Sequence, residues 1–377
     1  MIADPPFIEC FDPPADENPT VSTERIFAAA GHNYIYPLEN HPGKINTRWH
    51  LRDRTVLKLP TIVSKDLLIF PGRIMPFIAV NDLTAERFFD VHVERRVGDA
   101  SQLALFFRRN QSGPPEAGAL IKLLPHAYQR KSGRLVAKFE VTQILYIEGI
   151  RLPDYPVTQR MAYVPELEVK TKVDPCLYVN QYYRRYPAPP TQYQLTMSAD
   201  RLAKRVAEYF RTIHMPEVMI EQFTYSNDLT SVSFHLAEFA LMSTEEMLTA
   251  YHAATPEGRI AYILDLIKRY ETTECSNCNE RFNLMDKVRV YSAAGIRPYF
   301  GNPHGYYIRA LLVDVPAGNN INDTDSFFAD YKWGYLTCNC TTFRGWSFCS
   351  DKVQPSYFSA VVERTIKIIR KPIPSDL

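Results

Sequence analysis

The chain has 377 residues, of which 46% are hydrophobic and 23% are charged, and its formal net charge is +1 at pH 7. This length is enough for two or three domains, and the hydrophobic content excludes a wholly disordered chain. A nearly neutral chain without a long basic run has no electrostatic basis for binding nucleic acid or an anionic membrane surface, so neither partner is expected. The proline-rich, acidic start lacks an apolar signal segment, and no apolar run is long enough to span a bilayer, which predicts a cytoplasmic and nuclear protein.

The sequence of the first half of the chain predicts an N-terminal lead-in segment followed by a β-rich domain. Residues 1–55 begin with proline and acidic residues and continue with polar turns, so a mobile lead-in is expected there. Short apolar runs punctuated by turn residues then predict an antiparallel sheet or a small barrel over residues 56–174. The apolar segments of this region are 66–70, 73–78, 103–107, 119–126, 135–139 and 142–147, with a turn at 131–133 and one helix at about 84–93.

Residues 175–271 have a helical pattern. Ser198, Ser243 and Thr255 each stand where a hydroxyl can cap the start of a helix, and Thr255 is followed by proline at the first helical position. The predicted helices are 199–213, 231–241, 244–253 and 256–270. An aromatic and basic stretch at 178–186 precedes them, and its tyrosines belong either to a hydrophobic core or to a docking surface.

Four of the seven cysteines form two close pairs, Cys275-x-x-Cys278 and Cys338-x-Cys340. An odd number of cysteines that includes two tight pairs indicates a metal site rather than a disulfide framework. Two thiolate pairs can complete one tetrahedral Zn²⁺ site, and four protein ligands leave no open position for water, so one structural zinc ion per chain is predicted. Cys349 remains an alternative ligand, because the second pair has a one-residue spacer.

Aromatic residues are concentrated around the second cysteine pair. Phe327 and Trp333 precede the pair, and Trp346 and Phe348 follow it, although the whole chain contains only three tryptophans. Rings that are tied to a metal-binding turn can form a cage for a cation or for a flat polar ring. The alternative is that these rings are ordinary core residues.

The order of these motifs resembles that of the cereblon family. A CxxC pair, an NPHGY loop, an aromatic run with YxW, a second cysteine pair and GWxF follow one another over residues 274–373, as in the thalidomide-binding (CULT) domain of that family. Residues 68–76 are similar to the first strand of its Lon N-terminal-like domain, and the predicted helices are similar to its helical middle. The resemblance implies an α+β multidomain fold, with a β-rich Lon N-terminal-like domain at 56–174, a helical region at 175–271 and a zinc-anchored β domain (CULT, β-tent) at 272–377.

The same resemblance implies the site residues. It assigns zinc to the four paired cysteines and a glutarimide-like cyclic imide to the aromatic cage. The implied ligand-binding residues are Asn302, Tyr306, Asp325, Phe327, Trp333, Trp346 and Phe348. In this chain Phe327 replaces a cage tryptophan, Asp325 and Phe343 each replace a histidine, and the Cys338–Cys340 turn is shortened, so weaker imide binding than in a three-tryptophan pocket is expected. His304, beside the pocket loop, either contacts the ligand or stabilises the turn.

The function implied by the resemblance is that of a non-catalytic substrate receptor of a cullin-4 RING E3 ubiquitin ligase. The expected partners are the β-propeller adaptor of cullin-4 ligases, docked on residues 175–271, substrate proteins with cyclic-imide degrons, and glutarimide small molecules. The alternative is a free-standing small-molecule or modified-protein reader without a ligase role. A Lon-related enzyme is disfavoured, because Lon activity needs an ATPase domain and the chain has no G-x-x-x-x-G-K-[ST] motif.

Overall fold

A computed structural model describes residues 51–80, 102–131, 134–155, 161–173, 190–224, 229–290, 296, 299–301, 307–316, 321–322, 330–352 and 355–372. Most of the predicted lead-in, the predicted helix at 84–93 and the aromatic stretch at 178–186 lie outside these residues. The described part has a mixed α+β fold that is rich in strands, and its elements follow the order strands, helices, strands along the chain.

The first six strands form one sheet that closes on itself. They are β1 (Val56–Ser64), β2 (Ile74–Val80), β3 (Gln102–Phe107), β4 (Ala117–Lys131), β5 (Arg134–Leu145) and β6 (Met161–Lys172). Their order is β2-β5-β4-β3-β1-β6, and β6 also pairs with β5, so five strands complete a small barrel to which β2 adds an edge. The β1–β3 pair is parallel and the other pairs are antiparallel, which refines the predicted antiparallel sheet or small barrel.

Two sequence-based expectations about this sheet are wrong. Residues 68–76 were expected to hold its first strand, but that strand is β1, and Leu67–Phe70 is a buried non-strand segment. Leu68 and Phe70 turn away from the barrel into the helical core, and Gly72 reverses the chain with a φ of 89° before β2 begins. The predicted strands 135–139 and 142–147 are one continuous strand, β5. The unpredicted strand β6 is polar and half exposed, so its pairing with β1, rather than any apolar run, defines it.

Five helices follow the barrel: α1 (Pro190–Thr212), α2 (Glu217–Thr224), α3 (Leu229–Phe239), α4 (Thr244–Tyr251) and α5 (Pro256–Lys268). Ser243 caps α4 in a complete capping box with Glu246, and Thr255 caps α5, which confirms both predicted starts. Helix α1 begins earlier than expected, at Pro190, so Ser198 lies inside the helix and is not its cap. A proline is well suited to the first position of a helix, because its missing N–H would have no partner there. Helix α2 is short and was not predicted.

The last third of the chain returns to strands. They are β7 (Tyr270–Cys275), β8 (Arg281–Phe282), β9 (Tyr299–Gly301), β10 (Tyr307–Val313), β11 (Lys332–Thr337), β12 (Phe343–Cys349), β13 (Tyr357–Val362) and β14 (Ile366–Arg370). One sheet has the order β11-β12-β13-β10-β9 and the other has the order β14-β7-β8. Hairpins β7–β8 and β11–β12 each place a cysteine pair at their turn.

Helices α3 and α4 connect the barrel to the C-terminal sheets. Every residue of α3 is buried, and Glu238 on it accepts hydrogen bonds from Arg73 (2.5 Å) and from the backbone N–H of Phe70 (3.2 Å) on the barrel side. Glu246 on α4 binds the guanidinium of Arg370, with both N···O distances at 2.9 Å. Within the described residues, no helix is both long enough and apolar enough to cross a bilayer.

Candidate metal centre and aromatic face

The four paired cysteines come together at the turns of two hairpins. Their sulfur atoms all lie within 4.8 Å of one another, with 3.9 Å between Cys275 and Cys340 and 3.5 Å between Cys278 and Cys338. A tetrahedron of four Zn–S bonds of about 2.3 Å has edges of about 3.8 Å, so the donor set fits one tetrahedral ion. These four cysteines could therefore hold a metal ion.

Tight backbone turns aim the sulfurs at one point. In the first turn, the N–H of Asn279 donates to the carbonyl of Cys275 (3.1 Å), and Asn279 has a φ of 58°. In the second turn, the N–H of Thr341 donates to the carbonyl of Cys338 (2.8 Å), and Thr341 has a φ of 64°. Cys349 lies at the other end of β12, where it pairs with Tyr357, and it is not among the clustered cysteines, so the structure does not support it as an alternative ligand.

The four thiols are electrostatically unequal. The hydrogen bond between Cys340 and the Thr342 side chain lowers the pKa of Cys340 to about 5, whereas burial, reinforced by Glu280, raises the pKa of Cys338 to about 12. Backbone N–H groups at Cys278 and Asn277 lower the pKa of Cys275. A bound metal ion stabilises thiolates, so it must displace the proton that Cys338 retains in its absence.

Polar side chains surround the sulfur cluster. Asn277 donates from Nδ2 to Thr342 (3.0 Å) and approaches the sulfur of Cys340 at 3.7 Å. On the opposite side, Arg344 and Glu280 both contact the sulfur of Cys338. Such outer partners orient metal ligands and tune their basicity, and neither Arg344 nor Glu280 was predicted from the sequence. Arg344 stands one residue before Gly345 and Glu280 stands two residues after Cys278, and neither belongs to a recognisable sequence motif.

A row of aromatic rings lies on the hairpin that carries the second cysteine pair. Trp333 contacts Tyr335 (centroids 5.3 Å apart), Tyr335 contacts Phe343 (6.0 Å), and Phe343 contacts Trp346 (5.0 Å), all in edge-to-face geometry. Tyr335 stands directly opposite Trp346 across the β11–β12 pair, so these two rings and Trp333 share one face of the sheet. We call these four rings the aromatic face.

The rings of the aromatic face are accessible, unlike the ring of Phe348, which lies opposite Trp333 across the strand pair. Trp333, Phe343 and Trp346 are half-buried, and Tyr335 is 57% exposed. Phe348, one of the implied ligand-binding residues, is buried and stacks on Phe358 at a centroid distance of 4.9 Å. Tyr335 was missed by the sequence reasoning, although its spacing of two from Trp333 on a strand places it on the same face.

The structure places only part of the predicted ligand site. It brings Trp333, Trp346 and Phe348 together on hairpin β11–β12. The other predicted ligand-binding residues, and His304 beside them, lie outside the described residues: Asn302, Tyr306, Asp325 and Phe327. The backbone of Trp333 exchanges two hydrogen bonds with Asn322 (2.6 and 2.8 Å), which fixes the point where the chain enters the segment that contains Asp325 and Phe327.

Neither a family model nor a curated protein matches this chain. Among solved structures, the chain is similar to the crystal structure of a Lon N-terminal domain protein from Xanthomonas campestris. The sequence identity is 15% and the TM-score is 0.34, and the match covers 55% of this chain and 97% of that chain. A likeness this weak assigns neither fold nor function to the chain.

Proposed function

We propose that this chain is a non-catalytic substrate receptor of a cullin-4 RING ubiquitin ligase and binds cyclic imides on its aromatic face. The observation that supports the proposal is that one hairpin, β11–β12, combines a cysteine pair of the candidate metal centre with two accessible tryptophans. This is the combination that the resemblance to the cereblon family implies. Chemistry on the substrate is left to other subunits of the ligase, and the protein works in the cytoplasm and nucleus.

Zinc is the ion that this donor set suits best. Four sulfur ligands with near-tetrahedral spacing are the usual environment of a structural zinc ion, and soft thiolates disfavour magnesium and calcium. We infer one zinc ion per chain, held by Cys275, Cys278, Cys338 and Cys340. Its role is to tie hairpin β7–β8 to hairpin β11–β12, which gives the aromatic face a rigid support.

The aromatic face suits a flat, neutral ring. Indole rings bind such a ring by edge and face contacts, and half-buried rings exclude water from one side of it. The polar edge of an imide also needs hydrogen-bond partners. In the proposed complex, main-chain groups near Asp325 and Phe327 provide them, and the pinned position of Asn322 beside Trp333 starts that segment next to the aromatic face.

The first test measures binding of glutarimide by the full chain, followed by tryptophan fluorescence and calorimetry. Trp333→Ala and Trp346→Ala should each weaken binding by about 2 kcal/mol or more, as expected for aromatic anchors at the centre of a site. Tyr357→Ala is the matched control, because Tyr357 is 39% exposed on the same sheet but is not part of the aromatic face. Unchanged affinity in both tryptophan variants would remove the aromatic face from the proposal.

We propose that the adaptor binds to the helical region, and the burial of its residues limits which side chains can form the docking surface. Since α3 is wholly buried, docking must use exposed residues of the neighbouring helices, and Val218 on α2 is an apolar side chain with 74% exposure. Exposed charged residues also lie on α1 and α2: Arg201, Lys204, Glu208, Glu217 and Glu221.

The second test is capture of the full chain by the purified β-propeller adaptor. Val218→Glu should lower capture at least fivefold, roughly the effect of losing 1 kcal/mol of binding free energy. Val56→Glu, at a valine that is 52% exposed on the barrel, should leave capture unchanged. If the unaltered chain binds glutarimide but is not captured, the ligase role is wrong and the free-standing reader is favoured.

A further inference from the structure

Arg344 lies between the candidate metal centre and the aromatic face. It belongs to β12, immediately after Phe343 and two residues before Trp346. Its side chain is only 12% exposed, and its guanidinium carbon lies 4.0 Å from the centroid of the Phe282 ring. The guanidinium nitrogen Nη2 is 2.7 Å from the sulfur of Cys338 and 3.2 Å from Oε2 of Glu280. One largely buried guanidinium therefore contacts both a sulfur of the candidate metal centre and a carboxylate.

The charge balance of the site shows why a cation is needed there. Four thiolates carry a charge of −4, and a divalent ion reduces this to −2, because −4 plus 2 is −2. Glu280 adds one more negative charge, and its Oε2 lies 2.8 Å from the sulfur of Cys338. With a metal bound, the thiolate of Cys338 and the carboxylate of Glu280 are two anionic groups in direct contact, and their repulsion opposes metal binding unless a cation offsets it.

We propose that Arg344 is a positioning residue of the metal centre that offsets this repulsion and thereby raises metal affinity. Its planar guanidinium reaches the sulfur and the carboxylate at once, and the Phe282 ring holds its plane in place. The proposal deepens the zinc assignment made above and rests on the four cysteines binding a divalent ion. It does not depend on imide binding or on the ligase role.

A second consequence concerns the aromatic face. The main chain of Arg344 is part of β12, and its carbonyl lies 3.3 Å from the hydroxyl of Thr365, which also hydrogen-bonds to the carbonyl of Val362 at 2.6 Å. The side chain of Arg344 holds the Cys338 turn while its main chain forms part of the strand that carries Phe343 and Trp346. Arg344 thus links the candidate metal centre to these rings, because its side chain contacts the sulfur of Cys338 and its main chain continues into the strand that carries the rings.

The test compares zinc and cobalt binding by the full chain and by Arg344→Gln. Chelator competition at fixed pH should give a zinc dissociation constant 10 to 100 times weaker for Arg344→Gln, the range usual for loss of an outer partner of a metal ligand. The sulfur-to-cobalt charge-transfer band should shift, because the thiolate of Cys338 loses its cationic partner. Arg344→Lys retains the charge without the planar fork and should recover part of the affinity.

Two further variants separate this role from a merely structural one. Arg281→Gln is the matched control, because Arg281 is a 65% exposed arginine on β8 that binds Glu274 at 2.9 Å, and its loss should leave zinc affinity within twofold. Glu280→Gln removes the repulsion. The factor by which Arg344→Gln weakens zinc binding should therefore be at least threefold smaller in the Glu280→Gln background than in the unaltered chain.

The proposal would be overturned if Arg344→Gln bound zinc as tightly as the unaltered chain does and lowered the melting temperature by the same amount with and without metal. Arg344 would then be a packing residue. Failure of the unaltered chain to bind zinc or cobalt would instead refute the metal centre itself, so the two failures are distinguishable.

Discussion

Individual residues set the geometry of the candidate site through short contacts at the two cysteine turns. Cys275 and Cys338 are buried, whereas Cys278 is exposed, so the buried pair fixes the cluster to the sheets and the exposed turn closes it. The clustering of these four residues could be predicted from spacing alone. The roles of Glu280 and Arg344 could not, because single charged residues carry no motif and acquire a partner only when the two hairpins meet.

Metal removal should unfold the C-terminal third of the chain. Cys338→Ser replaces a buried thiolate ligand by a poor one, and binding energy at a structural zinc site is folding energy. We expect the unaltered chain to contain one zinc ion by elemental analysis and the variant to contain less than half as much, with loss of near-ultraviolet circular dichroism from the aromatic face. Cys349→Ser is the control, and a zinc-free chain that retains this signal would contradict the assignment.

Gly345 should be irreplaceable even by alanine. Its φ is 152°, and an added Cβ would overlap the carbonyl oxygen of Ala360 on β13. Gly345→Ala should therefore lower the free energy of unfolding by about 3 kcal/mol, measured by urea denaturation. Gly113→Ala is the control: Gly113 also has a positive φ, 94°, but an added Cβ there would meet open space, so only about 1 kcal/mol of backbone strain is expected.

At the scale of elements, the sequence predicted best what local chemistry decides. The starts of α4 and α5 follow from a hydroxyl followed by glutamate or proline, and both are found where predicted. Strand β6 escaped prediction because its stability comes from pairing with β1, more than 95 residues earlier in the chain, rather than from its own side chains. The segment Leu67–Phe70 was misread because an apolar run is the same signal whether it pairs in a sheet or inserts into a helical core.

Helix α3 should make the stability of the protein depend on pH. Burial lowers the pKa of His235 to about 4, against a small opposing effect of the Ser231 backbone, and the imidazole stacks on Phe223 at 4.2 Å. The unfolded chain takes up this proton at about pH 6.5 and the folded chain does not, so stability falls as pH drops from 6.5 to 4, by roughly 3 kcal/mol. Denaturation at several pH values should show a smaller fall in His235→Leu. An equal fall in both would show that His235 does not contribute.

At the scale of the whole molecule, the buried ion pair between Arg73 and Glu238 should hold the barrel to the helices. Both side chains are less than 10% exposed. Glu238→Gln should lower the free energy of unfolding by about 3 kcal/mol, because it leaves the buried Arg73 cation without this carboxylate. The exposed pair Arg211–Glu217 is the control, and Glu217→Gln should leave the free energy of unfolding almost unchanged, because solvent screens an exposed ion pair. Similar losses in the two variants would mean that the buried pair has no special role.

A large hydrophobic cluster joins the described parts of the molecule, since it includes barrel, helix and C-terminal residues such as Phe107, Phe210 and Leu311. The aromatic face lies at one edge of its sheet, on the hairpin that carries the second cysteine pair of the candidate metal centre. The general order of regions was predictable from hydrophobic pattern and cysteine spacing. The contacts that join these regions could not be predicted, because Glu238 and Glu246 meet their arginine partners only in the folded chain.

We propose that the aromatic face binds a neutral cyclic imide rather than a methylated cation. Both ligands suit aromatic rings, and Asp325 supplies a carboxylate that a cation site would use. The most direct measurement titrates the zinc-loaded full chain with glutarimide and, in parallel, with a trimethylammonium compound. We expect saturable binding of glutarimide that is strengthened by Phe327→Trp, and much weaker binding of the cation. Tight binding of trimethylammonium with no response to glutarimide would show that the aromatic face is not an imide-binding site.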